Sequence, residues 1–116
     1  MSSWKFYHNP HCSKSREALA FLEAEAVDFK TVEYIKNPPS RGEFRELIAQ
    51  MTGPLSAMVR TKDVEFTAAP FDVNSAEEVA LRLSEKPQLM ERPVLQGKGK
   101  AVVGRPLENI KELIKK

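Results

Sequence analysis

Nine residues near the start of the chain, from position 8 to position 16, hold its only cysteine and both of its histidines. An aromatic run before them predicts a short strand over residues 4–8. Apolar residues at helical spacing after them predict a helix over residues 13–26. Cys12 is therefore expected at a strand-to-helix turn, beside the first backbone N–H groups of the helix.

This position has consequences for the chemistry of the thiol. The first N–H groups of a helix have no partner within the helix, and with the helix dipole they favour a negative charge. A thiolate and a bound oxyanion are both such charges. The same position can lower a cysteine pKa from about 8.5 towards about 3.5–7.5. The working hypothesis is a reactive thiol at Cys12 that faces an anion site.

The rest of the chain supplies the other elements of the fold. A loose apolar alternation predicts a second strand within residues 27–35. Ser40 with Glu43 carries the capping-box signature of a helix start, and Ser75 with Glu78 repeats it. The remaining expectations are one or two helical turns over 55–59, a loop over 61–73, a hairpin with strands over 92–96 and 101–103, and a last helix with Pro106 near its first position.

The predicted order is β-α-β, then a helical insert, then β-β-α. A right-handed crossover in the first half and an antiparallel hairpin in the second predict an α/β fold. We expect a thioredoxin-like (glutaredoxin-like) domain, with a four-stranded mixed sheet, flanking helices and a helical insert between the two halves. Residues 1–116 are predicted to form a single domain.

Composition narrows the classes of function. The net charge of +2 is too small to indicate a nucleic-acid partner, and no apolar run is long enough to span a membrane. A single cysteine cannot form an internal disulfide, so a cytoplasmic location is expected. His8, His11 and Cys12 on one turn lack a fourth donor for zinc, so no metal is expected. Nothing requires a dimer, and we expect a monomer.

Several short motifs stand out along the chain: His8-Asn9-Pro10-x-Cys12-x-x-Ser15-Arg16, Asn37-Pro38-Pro39, Arg60, Glu91-Arg92-Pro93 and Gly104-Arg105-Pro106. The first of them resembles the active-site signature of the glutaredoxin-coupled arsenate reductases, the ArsC family. With the other motifs the resemblance extends over nearly the whole chain, with the same spacing and element order. It implies a thioredoxin-like domain with a helical insert.

The resemblance also implies roles for particular residues. Cys12 would attack arsenate, and Arg60, Arg92 and Arg105 would hold the oxyanion. His8 would help to lower the pKa of the thiol.

Four more residues are assigned to the substrate side of this site. Pro93 would be the cis proline that faces the cysteine of thioredoxin-like folds. Arg16 opposes the helix dipole in the first turn, which hints at a role near the anion. Asn9 and Ser15 either cap turns or hydrogen-bond near the sulfur, and capping is the more frequent use of such residues.

The expected reaction is attack of the Cys12 thiolate on arsenate, loss of water and formation of a thiolate–arsenate adduct. No second cysteine is available, so an outside thiol is required if the cycle includes a disulfide. By resemblance this co-substrate is glutathione, and glutaredoxin is the partner that clears the mixed disulfide. No bound cofactor is expected.

Two alternatives stay open. Regulators of the same fold bind RNA polymerase, but they typically carry Cys-x-x-Cys, and here the second position is Ser15. A thiol oxidoreductase of the same family with a substrate other than arsenate is the other. His11 and the segment 61–65 depart from the usual family pattern and bear on this second alternative. A phosphatase loop of the form Cys-x5-Arg is disfavoured, because position 18 is Ala18.

Overall fold

The computed structural model describes residues 4–115. The predicted domain also includes residues 1–3 and residue 116, which lie outside the described range. The strands are β1 (Trp4–Tyr7), β2 (Phe29–Val32), β3 (Val94–Gly97) and β4 (Lys100–Val103). The α-helices are α1 (Ser13–Ala24), α2 (Arg41–Gln50), α3 (Val64–Ala68), α4 (Ala76–Glu85) and α5 (Glu108–Ile114). Short 3-10 helices follow α2 and α4, at Leu55–Met58 and Pro87–Leu89.

The four strands form one mixed sheet in the order β2-β1-β3-β4. β1 is parallel to β2 and antiparallel to β3, and β3 is antiparallel to β4. This confirms the predicted thioredoxin-like sheet. The carboxyl ends of β1 and β2 lie side by side, where the His8 N–H donates to the Val32 carbonyl over 2.9 Å. The residues that follow both strands therefore meet at one edge, beside Cys12.

Each face of the sheet is covered by its own apolar cluster, because burial removes these side chains from water. Trp4 and Phe6 of β1 face α1 and α5, where Leu22 and Ile110 are buried. The opposite face packs against α2, α4 and the 3-10 helices through a larger group of buried side chains that includes Tyr7, Tyr34, Phe44, Leu47, Met58, Leu83 and Met90. The helical insert is thus part of the core.

Local signals in the sequence account for several element ends. The predicted capping box is present, because Ser40 Oγ accepts from the Glu43 N–H over 3.1 Å while Glu43 Oε1 accepts from the Ser40 N–H over 2.8 Å. The hairpin turns at Lys98 and Gly99, whose φ values are 53° and 77°. Two successive positive φ angles are typical of a type I′ turn, which matches the twist of the paired strands.

Two details of the sequence interpretation are wrong. Residues 61–73 are not all loop, because Asp63 Oδ1 accepts from the Glu65 N–H over 2.8 Å and starts α3. At five residues, that helix is too short to show a period. Pro106 lies two positions before Glu108, the first residue of α5, so it precedes the last helix instead of opening it.

Candidate active site

Hydrogen bonds within the cysteine loop fix its shape. The Cys12 N–H donates to the Asn9 carbonyl and the His11 N–H donates to Asn9 Oδ1, each over 3.0 Å. The Arg16 guanidinium donates to the Pro10 carbonyl over 2.9 Å. Asn9 and Arg16 therefore brace the loop, as the capping interpretation of Asn9 implies. Arg16 is exposed there and does not line the arginine cavity described below.

His8 and Ser15 lie in the interior beneath this loop. Ser15 is completely buried, and its Oγ lies 2.6 Å from His8 Nδ1 and accepts from the Asn9 N–H over 3.0 Å. The His8 ring stacks on Phe6 with centroids 5.4 Å apart. Burial lowers the pKa of His8, an effect that outweighs the opposing charge of Glu33, so the ring is neutral at pH 7.

Cys12 occupies the N-cap position of α1, as the strand-to-helix turn predicted. Burial raises the pKa of the Cys12 thiol, but a hydrogen bond from Arg92 and contacts from the N–H groups of Ser15 and Lys14 lower it further than burial raises it. These N–H contacts are looser than a regular capping hydrogen bond. The net result is a lowered thiol pKa, and His8 is not among the main groups that produce it.

Arg105 is the second guanidinium at the sulfur. Its Nη2 donates to Cys12 Sγ over 3.4 Å, and its Nε donates to the Arg92 carbonyl over 2.7 Å. Arg105 also lies 3.5 Å from Glu91, and its side chain is 39% exposed. Water therefore screens its charge, and the less exposed Arg92 is the stronger electrostatic partner of the thiolate.

The helical insert brings Arg60 to the same place. Val59 and Met90 form an isolated antiparallel bridge, and the Arg60 N–H donates to the Leu89 carbonyl over 2.8 Å. These bonds hold the segment after Met58 beside the residues that precede β3. Arg60 is then held by an ion pair with Asp63, whose carboxylate lies 3.0 Å from Nη1. The segment that starts α3 thus also orients this arginine.

A cavity of about 450 Å³ forms where the three arginines meet. Four of its lining residues are basic and two are acidic, so the cavity is suited to an anion. These charged residues are Arg60, Lys62, Arg92, Arg105, Asp63 and Glu91. A second cavity, of about 500 Å³, lies between the 3-10 helix at Leu55–Met58 and α5 and shares Glu91 and Arg105 with the first.

The backbone around Pro93 is closely packed. The Arg92–Pro93 peptide bond is cis, as expected, and the Gly104 N–H donates to the Pro93 carbonyl over 2.7 Å. A Cβ atom at Gly104 would lie 3.0 Å from Pro93 Cγ and 2.5 Å from Ile110 Cδ1. Gly104 therefore lets α5 approach the segment that carries Arg92.

The sequence interpretation missed one residue at this site. Among residues 4–115, the two buried side-chain polar atoms that have no hydrogen-bond partner are Tyr34 Oη and Arg92 Nε. Burial raises the pKa of Tyr34 to about 12, and the charges of Arg92, Cys12 and Arg60 also act on this hydroxyl. Tyr34 was interpreted only as an apolar member of the second strand. An unpaired tyrosine hydroxyl cannot be recognised from spacing alone.

Other kinds of site find no support in the part of the chain that the structure describes. No group of three or more histidine, cysteine, aspartate or glutamate side chains is arranged to hold a metal ion there. None of the helices within residues 4–115 has the length and apolar character needed to cross a membrane.

The fold and the site together define a thioredoxin-like protein with one cysteine at a helix start, beside an arginine-lined anion cavity. Residues 7–113 match the family model described as the ArsC family. An arsenate reductase of Neisseria meningitidis serogroup A is 38% identical, over 98% of this chain and 100% of that protein. The chain therefore belongs to the ArsC family.

Two further relatives differ in the activity that their names state. The uncharacterized protein YfgD of Escherichia coli is 35% identical, over 95% of each chain. The solved structure of an arsenate reductase from Vibrio cholerae is 34% identical, with a TM-score of 0.85 over 96% of this chain and 97% of that one. The relatives thus include proteins named for arsenate reduction and one with no stated activity.

Proposed function

We propose that this protein is an arsenate reductase in which the Cys12 thiolate attacks arsenate held by Arg60, Arg92 and Arg105. The observation that carries the proposal is the meeting of a thiol of lowered pKa with three arginines from distant parts of the chain. Guanidinium groups stay charged and present paired N–H donors, which suit a tetrahedral oxyanion. The names of the relatives at 34–38% identity support arsenate as the anion.

The first step forms a sulfur–arsenic bond. The Cys12 thiolate attacks arsenic in HAsO₄²⁻, and the hydroxyl oxygen on arsenic takes up one proton from solvent and leaves as water. The oxidation state of arsenic does not change in this step. Negative charge accumulates on the remaining oxygens, where the guanidinium groups stabilise it most in the transition state.

The second step is the reduction. The thiolate of glutathione attacks Cys12 Sγ, the sulfur–arsenic bond breaks, and arsenic leaves as arsenite with the bonding electron pair. Arsenic passes from the +5 to the +3 state while the two sulfurs become a mixed disulfide. Because Cys12 is the only cysteine of the chain, a thiol from outside the chain must reduce this disulfide, and glutaredoxin fills that role in the proposal.

The remaining motif residues support this chemistry indirectly. Ser15 contacts both the His8 ring and the Asn9 N–H, which fixes the start of the cysteine loop. The Asn9 and Arg16 side chains hydrogen-bond the backbone of the loop itself. The second cavity meets the anion cavity at Glu91 and Arg105, which offers space for a small peptide thiol beside the adduct. No bound cofactor is needed in this cycle.

A coupled assay tests the proposal. The protein is incubated with arsenate, glutathione, glutaredoxin, glutathione reductase and NADPH, and arsenite is measured directly beside NADPH consumption. We expect arsenite formation that is lost in Cys12→Ser and when glutathione is omitted. Arsenite formation equal to that of Cys12→Ser would refute the proposed activity. Arsenite formation that needs thioredoxin instead of glutaredoxin would refute only the proposed partner.

A further inference from the structure

The hydroxyl of Tyr34 is the least expected polar group near Cys12. The Tyr34 side chain is completely buried, yet its Oη has no hydrogen-bond partner. A buried polar group without a partner costs stability, so nearly all such groups in folded proteins are paired. An unpaired buried hydroxyl such as that of Tyr34 calls for an explanation, and the position of Tyr34 in the fold suggests one.

Tyr34 follows β2, at the sheet edge where β1 leads into the cysteine loop. Its hydroxyl lies within electrostatic range of Arg92, Cys12 and Arg60, which are the groups that define the anion site. The other unpaired buried polar atom of residues 4–115, Nε of Arg92, belongs to a residue that lines the arginine cavity. Two buried groups that can each donate a hydrogen bond, and that have no partner, thus belong to residues within electrostatic range of the thiol.

We propose that the Tyr34 hydroxyl is a further ligand of the oxyanion and donates a hydrogen bond to one of its oxygens. The inference rests on the proposed function, since it concerns the same substrate. The Arg92 guanidinium acts on the Cys12 thiol and lowers its pKa. An oxyanion that draws this guanidinium away from the sulfur becomes the acceptor for both the Arg92 Nε–H and the Tyr34 O–H. Tyr34 remains protonated at pH 7, because burial raises its pKa to about 12.

The chain offers a matched control for Tyr34. Tyr7 is also almost completely buried, but its hydroxyl donates to Gln96 Oε1 over 2.6 Å. Tyr34→Phe removes an unpaired hydroxyl, so its thermal stability should equal or exceed that of the wild type. Tyr7→Phe breaks a buried hydrogen bond and should lower thermal stability. Only Tyr34→Phe should be impaired in anion binding, while Tyr7→Phe should bind the anion as the wild type does.

The experiment measures how well an anion protects Cys12 from alkylation by iodoacetamide in the full-length protein. Arsenate and sulfate are used in parallel, since sulfate is tetrahedral but does not form the adduct. A lost hydrogen bond to a charged group should raise the half-protecting concentration about 10- to 100-fold in Tyr34→Phe. Tyr7→Phe should need the same concentration as the wild type.

The outcomes separate this inference from the proposed function. Protection of Tyr34→Phe at the wild-type concentration overturns the inference, as does a melting temperature that falls as far as that of Tyr7→Phe. Absence of protection in the wild type also overturns it. If arsenate protects the wild type more strongly than Tyr34→Phe but no arsenite forms in the coupled assay, Tyr34 is an oxyanion ligand and the proposed reduction fails.

Discussion

Arg92→Ala should raise the pKa of Cys12, because it removes the hydrogen bond and the positive charge that counteract burial of the thiol. The backbone carbonyl of residue 92, which accepts from Arg105 Nε over 2.7 Å, is kept in the variant. A hydrogen bond to a charged group contributes about 1.5–3 kcal/mol, and about 1.4 kcal/mol is a factor of ten. The thiolate fraction below the pKa should therefore fall about 10- to 100-fold.

Thiolate reactivity changes in the opposite direction. A thiolate becomes more nucleophilic as its pKa rises, with a Brønsted coefficient of about 0.4–0.5, so roughly half of the logarithmic loss is recovered. At low pH the alkylation rate of Arg92→Ala should be about 3- to 10-fold below that of the wild type. At high pH, where both thiols are ionised, the variant should be faster by a similar factor. The two rate–pH curves should cross.

The assay follows iodoacetamide alkylation by mass spectrometry across the pH range, with circular dichroism as a check of folding. Arg16→Ala is the matched control, because Arg16 donates to the Pro10 carbonyl and is not one of the main groups acting on Cys12. Its curve should follow that of the wild type. Superimposable curves for Arg92→Ala and the wild type, or equal displacement of both variants, would show that Arg92 does not control the thiol.

Three further predictions concern stability, measured by urea unfolding. Ser40→Ala should lower the free energy of unfolding by about 1 kcal/mol, because it removes the cap of α2. Gly104→Ala should lower it by about 1–3 kcal/mol, since the new Cβ would lie 2.5 Å from Ile110 Cδ1. Burial lowers the pKa of His8 in the folded protein. As the pH falls below about 6.5, the histidine of the unfolded chain is therefore protonated first, and the free energy of unfolding should decline. The decline should end where the pH reaches the lowered pKa of the folded state. His8→Asn should flatten this decline.

Each of the three stability predictions has a control variant or a result that would contradict it. Gly42→Ala, where the nearest atom to a new Cβ is Ser40 Oγ at 3.9 Å, should raise stability by up to about 1 kcal/mol. A loss at Gly42 equal to that at Gly104 would remove the packing argument. An unchanged free energy in Ser40→Ala would show that the cap contributes nothing. Parallel pH profiles for His8→Asn and the wild type would assign the acid sensitivity to other groups.

The local elements of the fold could be predicted because their signals lie in adjacent residues. Ser40 and Glu43 are three positions apart, and both halves of their capping box are formed. Lys98 and Gly99 take the positive φ angles of a hairpin turn. The short helix α3 was missed because five residues are too few to show an apolar period, although Asp63 caps its start.

The sequence predicted which residues lie at the candidate site better than it predicted the role of each residue. Arg60, Arg92 and Arg105 line one cavity, as the resemblance implied. His8 was expected to act on the thiol, but its ring is hydrogen-bonded to Ser15 and neutral at pH 7. Such a division of tasks depends on distances and burial, which residue types at a given spacing do not specify.

Sequence alone established the strand-to-helix turn at Cys12 and the lack of a second cysteine, because both depend only on neighbouring residues or on composition. Tertiary packing decided how far each guanidinium is shielded from water, since Arg92 is less exposed than Arg105 although both precede a proline. It also left the Tyr34 hydroxyl buried and unpaired, within electrostatic range of Cys12, Arg60 and Arg92. Burial and dielectric screening arise only when distant segments pack together, and they are what assign these side chains their chemistry.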